Sequence, residues 1–157
     1  MKKVGDLAPD FSTVDCQGRT VSLSALRGKN VVLFFFPRAF TAGCTEEIRH
    51  FRDNQSSIEA LNAVLIGVSV DTVERQCEFA KAEHIDFHLL GDPSRSISEA
   101  YGVVWPVLRI DRRATFVING EGIITDVIHH EKLVYRHLDD VLAQLRTQRP
   151  TAGRSEI

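Results

Sequence analysis

The chain has 157 residues, 43% apolar and 25% charged, with 19 Lys and Arg against 21 Asp and Glu for a net charge of −2. That length suits one domain that buries its own core without disulfide staples, and the composition excludes disordered and fibrous classes. The near-neutral balance offers no positive field to phosphate backbones or anionic lipid, so neither nucleic acid nor a membrane surface is an expected partner. At the start, Asp6, Pro9 and Asp10 interrupt the stretch that a signal peptide would keep apolar, and a cytoplasmic location is expected. Two short alternating segments, Phe11 to Val14 and Thr20 to Leu23, flank Asp15-Cys16-Gln17-Gly18 and predict a hairpin, with Cys16 a surface bystander in its turn. A helical turn over Ser24 to Leu26 ends at Gly28 and Asn30. Val31 to Phe36 follows as a buried strand, far short of the roughly 20 residues that cross a bilayer.

Pro37 stops that strand, and Arg38 to Gly43 form a loop into a helix opening at Cys44, with Glu46 and Glu47 in its first turn. Val64 to Val70 reads as a second buried strand, and Asp71 or Thr72 caps a helix running to about Glu83. Such alternation predicts a parallel pair joined by a right-handed crossover, in an α/β sheet covered on both faces. After a loop around Gly91-Asp92-Pro93 comes a short helix over Ser94 to Tyr101. The segments 114–118 and 123–128 flank Asn119-Gly120-Glu121-Gly122 and predict antiparallel edge strands. Leu138, Val141, Leu142 and Leu145 mark the buried face of a last helix over Tyr135 to Leu145. The order resembles a thioredoxin-like fold, a central mixed sheet flanked by helices with an extra N-terminal β-hairpin. Residues 1–147 form the single domain and 148–157 a flexible tail.

The chemistry concentrates at Pro37-Arg38-Ala39-Phe40-Thr41-Ala42-Gly43-Cys44. A cysteine stands where a buried strand turns into a helix, the edge at which open α/β sheets place ligands. Backbone N–H groups at a helix start lack intrahelical acceptors and stabilise a thiolate, so Cys44 is either a nucleophile or an inert buried thiol. Thr41 can cap the helix or offer its hydroxyl to a bound oxygen. Pro37 has no N–H and can wall a thiolate from water. A Cys-x-x-Cys dithiol is excluded because Thr41 holds its first position, and a cysteine phosphatase is excluded because His50 stands where its arginine belongs. His129, His130 and His137 fit no usual ligand spacing, so no metal or other cofactor is expected.

Taken together, Pro37-x-x-x-Thr41-x-x-Cys44 after an aromatic strand resembles the signature of the peroxiredoxins, thiol peroxidases of thioredoxin-like fold. The resemblance extends to Gly5-Asp6-x-Ala8-Pro9-x-Phe11, to Gly67-Val68-Ser69-Val70-Asp71 and to Arg113-Ala114-Thr115-Phe116-Val117-Ile118. Among subfamilies the chain is most similar to the bacterioferritin-comigratory-protein or Q group. The resemblance implies a peroxidatic Cys44 supported by Pro37, Thr41 and Arg113, acting on hydrogen peroxide and organic hydroperoxides through a sulfenic acid that a thiol recycles. Gly43 would contribute a backbone N–H, and Glu47 would orient an arginine from the helix face. Thioredoxin or another thiol is the implied reductant, and the working unit is a monomer or homodimer.

Many Q-group members carry a resolving cysteine five residues after the nucleophile, where this chain has Arg49. Others carry one on the following helix, where Cys77 lies about one turn from the usual position. Cys77 shares an apolar spacing with Val73 and Ala80, so a resolving thiol and a core residue are both open readings. The three cysteines are odd in number and widely spaced, which predicts no disulfide framework and no zinc site. A redox sensor or interaction module without turnover is the alternative function, since it would use the same thiolate.

Overall fold

A computed structural model describes residues 1–129 and 141–146. The hairpin forms from β1 (Ser12–Val14) and β2 (Thr20–Ser22), a two-stranded sheet of its own, and a 3₁₀ turn follows at Leu23–Leu26. The main sheet contains β3 (Asn30–Phe35), β4 (Ala63–Ser69), β5 (His88–Gly91), β6 (Ala114–Ile118) and β7 (Ile124–Ile128), in the order β5-β4-β3-β6-β7. The helices are α1 (Ala42–Asp53), α2 (Gln55–Glu59), α3 (Val73–Ala82) and α4 (Ser96–Tyr101). β3 pairs parallel with β4 and antiparallel with β6, which makes the sheet mixed and the architecture thioredoxin-like.

Period-two alternation along β3 divides the core between the two faces. Val32, Phe34 and Phe36 point to the layer of α1, α2 and α3, where they meet Ile48, Phe51, Ile58 and Phe79. Val31, Leu33 and Phe35 point to the other layer, with Leu23, Tyr101 and Phe116. Phe34 stacks on Phe51 with centroids 4.2 Å apart, and each such ring contributes roughly 1.5–3 kcal/mol by burial. Gly67 in β4 makes room for this ring: a Cβ there would lie 2.6 Å from Phe34 Cζ. No helix among the described residues is long and apolar enough to cross a membrane.

Several expectations are corrected. β6 is interior rather than an edge strand, and its five residues are all buried because β3 and β7 flank it. β5 is an element the sequence pattern does not predict, ending at Gly91 where a loop is expected; it has only four residues, paired parallel with β4. α1 starts at Ala42, so Glu46 and Glu47 fall beyond the first turn. On α3 the buried face is Gln76, Phe79 and Ala80, with Val73 exposed. Gln76 can be buried because its Nε2 donates to Leu90 O at 2.7 Å. The last predicted helix is helical over 141–146, with Val141 and Leu145 buried; its earlier part and the tail over 148–157 lie outside the described residues.

The expectation of Cys16 as a surface bystander is overturned. Cys16 is bonded to Cys77 across 61 residues of sequence, with Cα atoms 5.1 Å apart, and is no bystander. The hairpin docks against the segment between α3 and β5, which brings its turn beside α3. Gln17 Nε2 donates to Ile85 O at 3.2 Å and Arg19 Nη2 to Asp86 O at 2.7 Å.

Candidate active site

Strand register delivers the parts of the site to one place. β3 runs to Phe35 and its hydrogen bonding continues through Phe36 N–H to Val68 O at 3.0 Å, after which Pro37 ends it. The antiparallel pair Phe35↔Ala114 puts Arg113, the residue just before β6, at the carboxyl end of β3. The parallel pair Phe35↔Val68 brings Asp71, just past β4, to the same edge. Three segments distant in sequence therefore meet beside the loop that leads into α1.

Cys44 is 2% exposed in the first turn of α1. Arg113, 6% exposed, donates from Nη2 to Cys44 Sγ at 3.4 Å and from Nη1 to Glu47 Oε1 in a buried ion pair. Glu47 lies three residues past Cys44, nearly one turn along the same helix face, so one guanidinium spans both side chains. Burial opposes the charge on Arg113, but Glu47 and the Cys44 sulfur outweigh it and hold its pKa above the ordinary value. Gly43 leaves room for this approach: a Cβ there would stand 3.3 Å from Arg113 Nη2, a tight contact.

The loop is held from β4. Asp71 Oδ2 accepts from Ala39 N–H at 2.7 Å and from Ser69 Oγ at 2.6 Å. Phe40 takes φ +67°, an uncommon conformation for an aromatic residue, with its ring against Phe79 at 5.1 Å and the Arg75 guanidinium 4.9 Å from its centroid. Thr41 is the N-cap residue of α1 but makes no side-chain cap; its Oγ1 donates to Arg38 O at 2.9 Å instead. The first N–H groups of α1 therefore have no side-chain acceptor at the cap.

Of the residues singled out in the sequence, Cys44, Arg113, Glu47 and Gly43 come together, with Thr41 at the mouth of the same helix and Pro37 at the end of β3. Cys77 is bonded to Cys16 rather than to Cys44. Asp71 escaped the sequence reading because Asp71 and Thr72 compete for one helix start; the structure gives the cap to Thr72 and frees Asp71 to hold Ala39.

Residues 4–127 match the model of the AhpC/TSA family. Peroxiredoxin Bcp of Bacillus subtilis is 38% identical over 127 residues, covering 76% of this chain and 80% of its own. Peroxiredoxin Bcp of Escherichia coli is 33% identical over 150 residues, covering 92% and 96%. The crystal structure of peroxidoxin BcpB from Mycobacterium tuberculosis superposes with a TM-score of 0.85 at 37% identity, covering 94% of this chain and 98% of that one.

Proposed function

The chain belongs to the AhpC/TSA family and is a thiol peroxidase, and from that premise we propose that Cys44 is its peroxidatic sulfur, with Arg113, Thr41, Gly43 and Pro37 around the peroxide and Glu47 positioning the arginine. The Cys44 thiolate attacks one oxygen of the peroxide, the O–O bond breaks, and the departing hydroxide or alkoxide takes up a proton. The sulfur is left as sulfenic acid. Negative charge grows on the leaving oxygen, so donors fixed before the reaction stabilise the transition state most. Arg113 Nη2 and the uncapped N–H groups of α1 are such donors. Because Thr41 gives its own proton to Arg38 O, its lone pairs accept from a peroxide O–H. Pro37 adds an apolar wall with no N–H to hold water.

Hydrogen peroxide and organic hydroperoxides are the substrates in this reading. Thioredoxin or another small dithiol is the reductant, the cytoplasm the compartment, a monomer or homodimer the working unit, and Cys77 the thiol that resolves the sulfenic acid. The observation that carries it is the buried guanidinium that touches Cys44 Sγ with one nitrogen and Glu47 with the other. The test is steady-state consumption of hydrogen peroxide with thioredoxin and its reductase. Many turnovers are expected for the native chain and none for a folded Cys44→Ser variant; oxidation that stops near one equivalent would instead identify a sensor.

A further inference from the structure

The Cys16–Cys77 disulfide has no part in attack on peroxide, yet three features connect it to that chemistry. First, α1 and α3 follow the parallel strands β3 and β4 and so run side by side in the same direction. They are tied by Arg49 Nε to Glu83 Oε1 at 2.6 Å and Arg52 Nη1 to Glu83 O at 2.9 Å. Cys44 lies five residues before Arg49 and Cys77 six before Glu83. At about 1.5 Å rise per residue Cys44 stands roughly 7.5 Å above Arg49 and roughly 12 Å above Arg52, and Cys77 roughly 9 Å above Glu83, so the two lie within about one helical turn of the same level on neighbouring helices. Phe79 of α3 meets both Phe36 at the end of β3 and Phe40 of the active loop, with centroids 6.1 and 5.1 Å away.

Second, the two helix starts differ in what holds them. Thr72 Oγ1 accepts from Arg75 N–H at 3.2 Å and caps α3, whereas α1 has no side-chain cap. The turn free to unwind is the one carrying Cys44. Third, the hairpin turn is seated independently of its disulfide. Asp15 accepts from Gln17 N–H at 2.8 Å and Arg19 N–H at 2.9 Å, and pairs with Arg19 Nε at 2.8 Å and His88 Nδ1 at 2.7 Å. Reduction therefore leaves Cys16 beside Cys77. Both are partly exposed while Cys44 is buried, so a reductant reaches the pair more readily than the peroxidatic sulfur.

We propose that Cys16 is a third redox cysteine, which receives the disulfide from Cys44–Cys77 and presents Cys16–Cys77 to the reductant. The inference rests on Cys44 as peroxidatic and Cys77 as resolving sulfur. Cys77 thiol attacks the Cys44 sulfenic sulfur, forming Cys44–S–S–Cys77 and releasing water. Cys16 thiolate then attacks the Cys77 sulfur, the Cys44–Cys77 bond breaks, and Cys44 leaves as thiolate. A dithiol reduces Cys16–Cys77, becomes a disulfide itself and returns two thiols. The exchange restores Cys44 beside Arg113 before any reductant docks. In a reducing compartment a disulfide of this kind is more often catalytic than structural, in keeping with a role in turnover.

The test uses the full, reduced chain given one equivalent of hydrogen peroxide, quenched with an alkylating agent and mapped by mass spectrometry. The native chain should end with Cys16–Cys77 linked and Cys44 alkylated as a thiol. Cys16→Ser, and Cys16→Ala as a second variant checked for native melting, should trap Cys44–Cys77. Both should consume the first equivalent at the native rate and lose about tenfold in thioredoxin-supported turnover. The relay is overturned if the native chain accumulates Cys44–Cys77 with Cys16 free, if Cys44→Ser forms Cys16–Cys77 as fast as the native chain, or if thioredoxin leaves Cys16–Cys77 intact in the folded protein. Failure of the peroxidase reading is a separate result: the reduced native chain would not consume its first equivalent, or Cys77→Ser would fail to hold Cys44 as sulfenic acid.

Discussion

Two helices start at the same edge of the sheet, each after a threonine in extended backbone, and they use that threonine in opposite ways. At α3, Thr72 turns its oxygen onto Arg75 N–H and closes the helix, while its neighbour Asp71 reaches back to hold the loop at Ala39. At α1, Thr41 turns away and donates to Arg38 O, leaving the first N–H groups without a side-chain acceptor beside Cys44. Helix starts are stabilised by caps, so the open one trades stability for a place where negative charge can sit. The comparison teaches that residue type at an N-cap does not decide its role; the loop that enters the helix does.

The sharpest way to break this comparison is to remove the guanidinium to which the proposal assigns the reactivity of the open start. Arg113→Ala takes the guanidinium from Cys44 and removes one partner of a buried ion pair with Glu47. The rate constant for Cys44 oxidation by peroxide should fall about 10²–10³-fold, and stability should drop by roughly 3–5 kcal/mol, read by stopped-flow and by denaturant melts. Glu47→Gln should retain more stability and lose less rate, since it keeps an acceptor for Arg113.

Exchanging the two threonines for alanine tests the comparison itself. Thr72→Ala should cost about 1 kcal/mol in unfolding with peroxide reactivity nearly unchanged. Thr41→Ala should do the reverse, slowing Cys44 oxidation about tenfold or more with only a few tenths of a kcal/mol lost. Equal stability losses in the two variants would show that α1 is capped after all. A smaller effect is expected for Gly43→Ala, where the new methyl must displace Arg113 Nη2 by a few tenths of an ångström. The peroxide rate should decline several-fold, about 1 kcal/mol of transition-state stabilisation, while the melt barely moves.

A third helix start extends the comparison to pH. α4 is held by Asp92, whose Oδ2 accepts from Ser98 N–H at 2.8 Å, and Ser98 Oγ donates to the fully buried Asp111 at 2.9 Å. Burial pushes the Asp111 carboxyl up to about 7, with the charges of Asp92 and Asp71 adding to the shift and Ser98 and Arg95 opposing it. Between roughly pH 4 and pH 7 the folded chain then holds a proton that the unfolded chain has lost, so Asp111 lowers stability as pH rises through that window. Asp111→Asn should leave stability near native at pH 4 and raise it at pH 8, by roughly 2–4 kcal/mol at the upper limit. An equal effect at both pH values would refute a titrating carboxyl at this position.

Elements built on long local patterns were legible in the sequence. β3 and β4 announce themselves as apolar runs, and the N-terminal hairpin by Asp and Gly at its turn. β5 was hidden because His88-Leu89-Leu90-Gly91 is too short to show a period and runs into Asp92-Pro93, which reads as loop. The sequence predicts an edge at β6 because the hairpin it shares with β7 shows only one of its two partners; its pairing with β3 is a long-range fact. At the site, Cys44 and Thr41 were visible from their place between strand and helix. Arg113 lies 69 residues from Cys44, with Arg109 and Arg112 as equally basic neighbours, so only the resemblance to a family picked it out. The Cys16–Cys77 bond had no local signal at all, because it depends on where a docked hairpin places its turn.

The central claim is that the open start of α1, with Arg113 fixed across it, makes Cys44 the sulfur that takes oxygen from peroxide. The most direct test gives the fully reduced chain a tenth of an equivalent of hydrogen peroxide in a Cys77→Ser background and traps sulfenic acid with a carbon nucleophile before mapping the peptides. The account predicts the label on Cys44, with Cys16 unlabelled. Label on Cys16, or an even division between the two, would contradict it.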